Sequence, residues 1–125
     1  MTFVANFAVD SFATLSAIHI FYNNSAWDGD IGTSANDDLA IATDKQILES
    51  GQSANFVNYT SYDKGINGIM IDIANLAGMP NASDFIFKVG NNNNPAEWTN
   101  ALNASQIVTR DIGDGKTRIT LIWVD

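Results

Sequence analysis

The sequence has no cysteine, two prolines and a single histidine. Without cysteine the chain has no disulfide, no zinc–thiolate site and no thiol nucleophile. Basic residues are also scarce, with six against 14 acidic residues and a net charge of −8. This balance argues against nucleic acid or an anionic membrane as a partner, because both require a basic surface. No apolar run approaches the roughly 18 residues that span a bilayer, so membrane insertion is not expected.

Hydrophobic residues are plentiful and make up 46% of the 125 residues. They occur in short stretches between clusters of Gly, Asn, Asp and Ser, and within a stretch they alternate with a period of two, which is typical of half-buried strands. We therefore predict one all-β domain over residues 1–125, an antiparallel β-sandwich of jelly-roll or immunoglobulin-like type with about seven strands. The predicted strands are Thr2–Val9, Leu15–Tyr22, Ser53–Tyr59, Gly65–Ile73, Asp84–Val89, Ile107–Ile112 and Lys116–Val124, with a short strand or helical turn in Leu39–Leu48.

The clearest local signal is a hairpin near the end of the chain. Asp114-Gly115 separates two alternating stretches, and this pair tolerates the positive φ angles of a type I′ turn. A two-residue loop at that point predicts that Asp111 lies opposite Arg118 and that Val108 lies opposite Leu121. Opposite charges and apolar side chains would then pair across the strands.

Acidic and amide side chains gather in a long predicted loop before Leu39. They are Asp28, Asp30, Asn36, Asp37 and Asp38. Calcium takes about six to eight hard oxygen ligands from flexible loops, so we predict a calcium site here, although the spacing is not that of an EF-hand. The alternative is a solvated loop whose Asp and Asn side chains form Asx turns and cap a short helix near Leu39.

Four aromatic residues fall in predicted loops or at strand ends, namely Trp27, Tyr59, Tyr62 and Trp98. Exposed rings of this kind stack on pyranose faces while Asn and Asp bond the hydroxyl groups, so these four predict a carbohydrate-binding site. The amide-rich run at residues 91–94, just before Trp98, suits a hydroxylated ligand. In the alternative, the rings plug the open ends of the sandwich. For Trp123, inside a strand, we predict core packing.

Signatures of catalysis are weak. The only histidine, His19, falls within a predicted strand, which favours a structural or surface role. The chain has no nucleophile elbow, phosphate-binding loop or dinucleotide-binding glycine pattern. We therefore expect that the protein is not an enzyme.

From Ile18 onward the chain resembles a module of very large, multidomain secreted or surface proteins of environmental bacteria, some of which carry dockerin-like parts. The matching stretches are FYNNSAWDG (Phe21–Gly29), NDDLAIATDK (Asn36–Lys45), NYTSYDKGINGIMIDIANL (Asn58–Leu76), DFIFKVGNNNNPAEW (Asp84–Trp98) and TLIWVD (Thr120–Asp125). The resemblance covers most of the chain. It implies a secreted or cell-surface β-domain and no known activity.

The chain departs from the resembling modules at both ends. Those modules continue past Trp123–Asp125 into another strand, whereas this sequence stops there and adds an N-terminal stretch, Thr2–Val9. In that stretch Phe3, Ala5, Phe7 and Val9 alternate onto one face. A sandwich without its last strand leaves an unpaired edge, which we expect the N-terminal strand to fill, in its own chain or in a neighbour.

These observations favour a non-catalytic, extracellular structural or adhesive module. Its partners are expected to be further copies of itself, joined by exchange of the N-terminal strand into a filament, or neighbouring modules. A carbohydrate-binding module is the alternative, and an enzyme is the third hypothesis.

The calcium hypothesis predicts a thermal shift. If Asp28, Asp30, Asp37 and Asp38 converge, their mutual repulsion must be relieved by a cation or by separation. Calcium should then raise the melting temperature, because it binds only the folded loop. Differential scanning fluorimetry in excess calcium and in chelator measures this, and an unchanged midpoint would remove the site.

Overall fold

The computed structural model describes residues 12–29, 33 and 35–124. The chain is mostly β within these residues, and its paired strands run antiparallel, which confirms the predicted all-β class. The strands are β1 Thr14–Ile20, β2 Gly68–Ala74, β3 Lys88–Val89, β4 Thr99–Asn100, β5 Gln106–Gly113 and β6 Lys116–Ile122. Short 3-10 helices occupy Ala35–Ala40, Phe56–Asn58, Ala82–Asp84 and Pro95–Glu97. The predicted strand Thr2–Val9 and Asp30 lie outside the described residues.

Four strands form the main sheet in the order β1-β2-β6-β5, and β3 pairs with β4 in a second, two-stranded sheet. The central strands β2 and β6 are the most buried, and all residues of Gly68–Ile73 and Ile119–Ile122 are buried. Strands β1 and β5 are the edges of the main sheet.

One face of the main sheet, which we call the core face, carries the main hydrophobic cluster. Side chains alternate between the faces of a sheet, so every second residue of β2 and β6 points into this cluster. Its buried members are Ile69, Ile71, Ile73, Phe85, Phe87, Ile119 and Leu121. Trp123 packs against it with its ring centroid 4.8 Å from that of Phe87, which confirms the predicted core packing of Trp123.

The opposite face, which we call the polar face, has a smaller apolar cluster at one end. Phe21, Ala40, Met70 and Ile122 are buried there. The chain around Ala40 is held against the end of β1, because the N–H of Tyr22 donates to the Ala40 carbonyl at 3.0 Å and the N–H of Ala42 donates to the Ile20 carbonyl at 3.0 Å. The loop after β1 therefore folds back over the polar face.

Two predicted strands are wrong or shortened because asparagine side chains form local hydrogen bonds instead. In Ser53–Tyr59 the structure has a 3-10 helix, where Asn55 and Asn58 cap each other's backbone N–H groups. In Asp84–Val89 only Lys88–Val89 is a strand, because Asn81 and Asp84 make the same reciprocal cap around Ala82–Asp84. Such side chain–backbone bonds compete with strand pairing.

The predicted hairpin forms, but its register differs by one residue. Asp114 and Gly115 have φ angles of 54° and 71°, as a type I′ turn requires. A β-bulge between Asp111 and Gly113 then shifts the pairing, so that Thr117 lies opposite Asp111 and Arg118 lies opposite Arg110. The Asp111 carboxylate stabilises the bulge by accepting the Gly113 N–H at 2.8 Å. The predicted pairs Asp111–Arg118 and Val108–Leu121 are therefore wrong.

The buried contact between Gly68 and Phe21 gives a stability prediction. A Cβ atom at Gly68 would lie 2.5–2.8 Å from three ring carbons of Phe21. We expect Gly68→Ala to lower the free energy of unfolding by about 1–3 kcal/mol, because overpacking a filled core forces neighbours to move. Urea denaturation measures the loss.

The matched control for this prediction is the same substitution in a Phe21→Leu background, where the smaller side chain leaves room for the methyl group. Contacting residues couple in a double-mutant cycle, so Gly68→Ala should cost less there. An equal cost in both backgrounds would contradict the assigned clash.

Candidate functional site

Charged side chains form a connected network on the polar face of the main sheet. Arg118 donates from Nε to Asp72 Oδ1 at 2.7 Å and from Nη2 to Asp72 Oδ2 at 2.8 Å, a bidentate pair. Its Nη1 lies 3.0 Å from Asp38 Oδ1, which also accepts from Arg110 Nη2 at 2.6 Å. His19 Nε2 lies 3.5 Å from Asp72 Oδ2. The network therefore joins all four strands of the main sheet to the 3-10 helix Ala35–Ala40.

The Asp72 carboxyl is held in its ionised form. Burial alone would raise the pKa of Asp72, but the hydrogen bonds and charge of Arg118, with a smaller contribution from His19, outweigh it and lower that pKa below 3.8. In turn, the hydrogen bond to Asp72 raises the pKa of Arg118, against the effect of burial, with Asp38 adding to the rise. An ionised carboxylate with both oxygens bonded to arginine stabilises the sheet and is a poor proton donor.

The sequence pattern did not predict this network. The bulge before Gly113 brings Arg110 opposite Arg118, and two like charges in that position repel unless carboxylates lie between them. Asp38 supplies one such carboxylate from 72 residues earlier in the chain. The sequence shows one sign of this network, a charged residue within an apolar strand: Asp72 in GIMIDIA.

The predicted metal ligands have varied surroundings. Asp28 is buried and accepts the N–H groups of Asn24 at 2.7 Å and Ser25 at 2.9 Å, so its carboxylate is occupied by the backbone of the preceding turn. Asp38 bonds to the two arginines, Asp37 is fully buried and Asn36 is exposed. Within residues 12–29, 33 and 35–124, no three carboxylate or histidine side chains form a group that could hold a metal ion. Calcium binding through Asp30 and its neighbours stays a prediction.

The four predicted sugar-binding aromatics are divided among three places. Trp27 and Tyr62 both contact Tyr22, with ring centroids 5.9 Å and 4.6 Å from that of Tyr22. Tyr59 packs edge-on against Phe56, at 5.8 Å. Trp98 lies so close over Gly90 that a Cβ there would be 2.2 Å from the indole, and its Nε1 donates to Asn92 Oδ1 at 2.8 Å. Tyr22, which the sequence did not single out, connects two of the four.

An apolar groove with a volume of about 270 Å³ opens beside β1. Its floor is formed by Ile18 and Ile20, which project from β1 on the core face, and by Ile66. Its far wall is the segment around Ile47, Leu48 and Tyr59. Among these residues, Ile47, Leu48 and Tyr59 are 44%, 38% and 57% exposed, so apolar side chains reach the rim of the groove. Four polar residues also line it: Lys45, Gln46, Asn58 and Thr60.

The far wall of the groove is a loop closed on itself by polar bonds. The N–H of Gln46 donates to the Val57 carbonyl at 2.8 Å, and Asn58 Nδ2 donates to the carbonyls of Gln46 and Ile47 at 3.1 and 3.3 Å. Lys45 lies over the Phe56 ring at 4.2 Å from its centroid. The wall is therefore fixed without strand pairing and keeps its apolar side chains toward the groove.

Comparison with known proteins gives no match: no family model, no curated protein and no solved structure is significantly similar to this chain. In the part of the chain that the structure describes, no helix has the length and hydropathy needed to cross a bilayer.

The lowered pKa of Asp72 gives a prediction on acid stability. Because the folded chain binds this proton less readily than the unfolded chain, the stabilisation is complete above about pH 4 and is lost as the pH falls through the folded pKa. At pH 7, Asp72→Asn should cost about 3–5 kcal/mol, since it leaves Arg118 without its buried partner.

The measurement is urea denaturation of the wild type and of Asp72→Asn between pH 2 and 7. Below pH 4 the two stabilities should converge. Asp63→Asn, at an exposed position, is the control and should follow the wild type. A constant difference between wild type and Asp72→Asn at every pH would contradict the assigned ion pair.

Proposed function

We propose that this protein is a non-catalytic extracellular structural module that assembles by accepting an added β-strand along β1. The donated strand is the N-terminal segment of another copy. The observation that carries the proposal is an apolar groove beside the outer edge of β1, which no other described strand pairs from Thr14 to His19. The extracellular setting rests on the resemblance to modules of secreted and surface proteins.

The edge of β1 offers backbone groups for pairing. Among the described residues, the outer edge of β1 is bonded only near its end, where Ala42 bonds to Ile20. From Thr14 to His19 no other described strand pairs with it. An unpaired edge is the template to which an extended peptide adds by main-chain hydrogen bonds, with side-chain pockets providing specificity.

The groove selects for an apolar strand. Residues directly opposite each other on paired strands point to the same face of a sheet. A strand added along Thr14–His19 would therefore direct the side chains on the Ile18 side into the groove between β1 and the Ile47–Leu48 wall. Such an addition would supply the seventh strand of the predicted sandwich and cover the apolar rim.

The N-terminal segment has the required pattern, since Phe3, Ala5, Phe7 and Val9 alternate along it. Burying two phenylalanines and a valine contributes about 1.5–3 kcal/mol for each side chain, before the entropic cost of association. The donor and acceptor surfaces differ, so each copy can donate to one neighbour and accept from another. A head-to-tail contact of this kind extends into a filament unless the rotation closes a ring.

The residues that lead into β1 favour donation of the N-terminal strand to a neighbour over its folding back on the same chain. A two-residue hairpin loop formed by Phe12 and Ala13 would require positive φ there, and neither residue has it; this excludes that one loop, not a longer loop that includes Asp10 and Ser11. The Phe12 carbonyl is instead held by Asn75 Nδ2 at 3.4 Å. Asp10-Ser11 permits a turn, but neither Gly nor Pro enforces one.

Deletion of residues 2–9 tests the donor. The full chain should elute from a sizing column as large assemblies and the deletion variant as a monomer, because the groove is left empty. An added peptide of residues 2–9 should bind the variant and raise its melting temperature. If the full chain is already a monomer and the deletion changes nothing, strand donation between subunits is excluded.

The acceptor is tested by Ile47→Glu, which places a charge in the groove wall. Ile86→Glu is the matched control, because Ile86 is exposed to the same extent, 44%, and does not line the groove. Ile47→Glu should dissociate the assemblies or weaken peptide binding at least tenfold, whereas Ile86→Glu should have no effect. Equal behaviour of the two variants would exclude the groove as the acceptor.

A further inference from the structure

The turn after β1 is held in one conformation by two buried polar side chains. Asn67, 2% exposed, accepts the Asn23 N–H at 3.1 Å and donates to the Asn23 carbonyl at 2.9 Å. Asp28 accepts the next two N–H groups. Asn24, with φ of 56°, takes the left-handed conformation that the tight turn needs. The Asn67 side chain, from a neighbouring segment, and the Asp28 carboxylate, from the turn itself, therefore hold the turn in place.

This fixed turn presents a large aromatic surface to solvent. Trp27 is 61% exposed, although its ring contacts Tyr22. Tyr22 is in turn supported by Tyr62, and its hydroxyl shares a hydrogen bond of 3.0 Å with Thr60 Oγ1. The Tyr62 hydroxyl donates to the Asn23 carbonyl at 3.1 Å. The Trp27 indole therefore packs on Tyr22, which Tyr62 and Thr60 hold in position, and it does not fill the core.

We propose that Trp27, backed by Tyr22 and Tyr62, is a binding site for a pyranose ring of a neutral glycan. A rigid, exposed indole stacks on the apolar C–H face of a pyranose at little entropic cost. The same turn holds a polar group, the Lys64 ammonium, which bonds to the Asn24 carbonyl at 3.1 Å. Tyr59 and Trp98 lie outside this site, because each packs against a different partner.

The net negative charge of the chain favours neutral glycans over anionic glycans as ligands. The net charge is −8, and the exposed Asp63 follows Tyr62 directly. Anionic polysaccharides would be repelled by this field, whereas neutral hexose or pentose polymers would not. The proposal of a glycan site does not rest on strand donation to the groove beside β1.

Affinity electrophoresis of the full chain tests the site with neutral polysaccharides as probes: laminarin, xylan, galactomannan and dextran in separate native gels. At least one should retard the wild type and quench its tryptophan fluorescence, whereas heparin and alginate should not. Trp27→Ala should weaken binding about tenfold, and Trp27→Phe should retain part of it, since stacking depends on the aromatic face.

The control is Leu102→Ala, which removes an exposed apolar side chain that lies outside both the groove and the Trp27 site. Both alanine variants should keep the wild-type melting temperature within a few degrees, so that loss of binding cannot reflect unfolding. Three outcomes would overturn the proposal: no retardation by any neutral probe, unchanged binding by Trp27→Ala, or stronger retardation by heparin or alginate than by every neutral probe.

Discussion

The ion pair between Asp72 and Arg118 lies between the two central strands, and the surrounding structure depends on it. Both side chains are largely buried, at 7% and 12% exposure, so each charge needs its partner. A slip of β2 against β6 by one residue would move one of them to the opposite face and leave the other unpaired. Since Arg118 also binds Asp38, the same pair that fixes the register of the sheet fixes the 3-10 helix Ala35–Ala40 on the polar face.

Beyond the sheet, order comes from asparagine and aspartate side chains that bond to nearby backbone. Three pairs of such residues each hold a turn of the chain with two side chain–backbone hydrogen bonds. They are Asn55 with Asn58, Asn81 with Asp84, and Asn67 with Asn23. From the sequence, the Asp and Asn residues before Leu39 are expected to be metal ligands or, as the alternative, to form Asx turns and cap a short helix, and the amides at residues 91–94 are expected to contact sugar. In the structure, several Asn and Asp residues elsewhere in the chain act as caps, which explains how long connections keep apolar and aromatic side chains in fixed positions.

The sequence predicts a strand correctly where burial of one face alone determines the structure. It fails where a contact between residues far apart in the chain determines the structure. Alternation located β1, β2, β5 and β6, because one or both faces of each strand are apolar, and Asp114-Gly115 located the turn. The bulge at Ile112 depends on one hydrogen bond that the Gly113 N–H donates to the Asp111 carboxylate and on the positive φ of Gly113, neither of which leaves a periodic signal. The pairing of Asp38 with Arg110 spans 72 residues, so no local pattern could identify it. Tyr22 was missed because it sits at a strand end among residues that alternate normally.

The two proposed surfaces share structural elements at the end of β1. Ile20 lines the groove, and two residues later Tyr22 supports Trp27. Thr60 belongs to both, because it lines the groove and its hydroxyl bonds to that of Tyr22. A strand that fills the groove would therefore lie next to the hydroxyl that positions Tyr22. Because hydrogen bonds already hold the turn, Tyr22 and the groove wall in place, the two surfaces share one support, and a substitution at Thr60 would alter both.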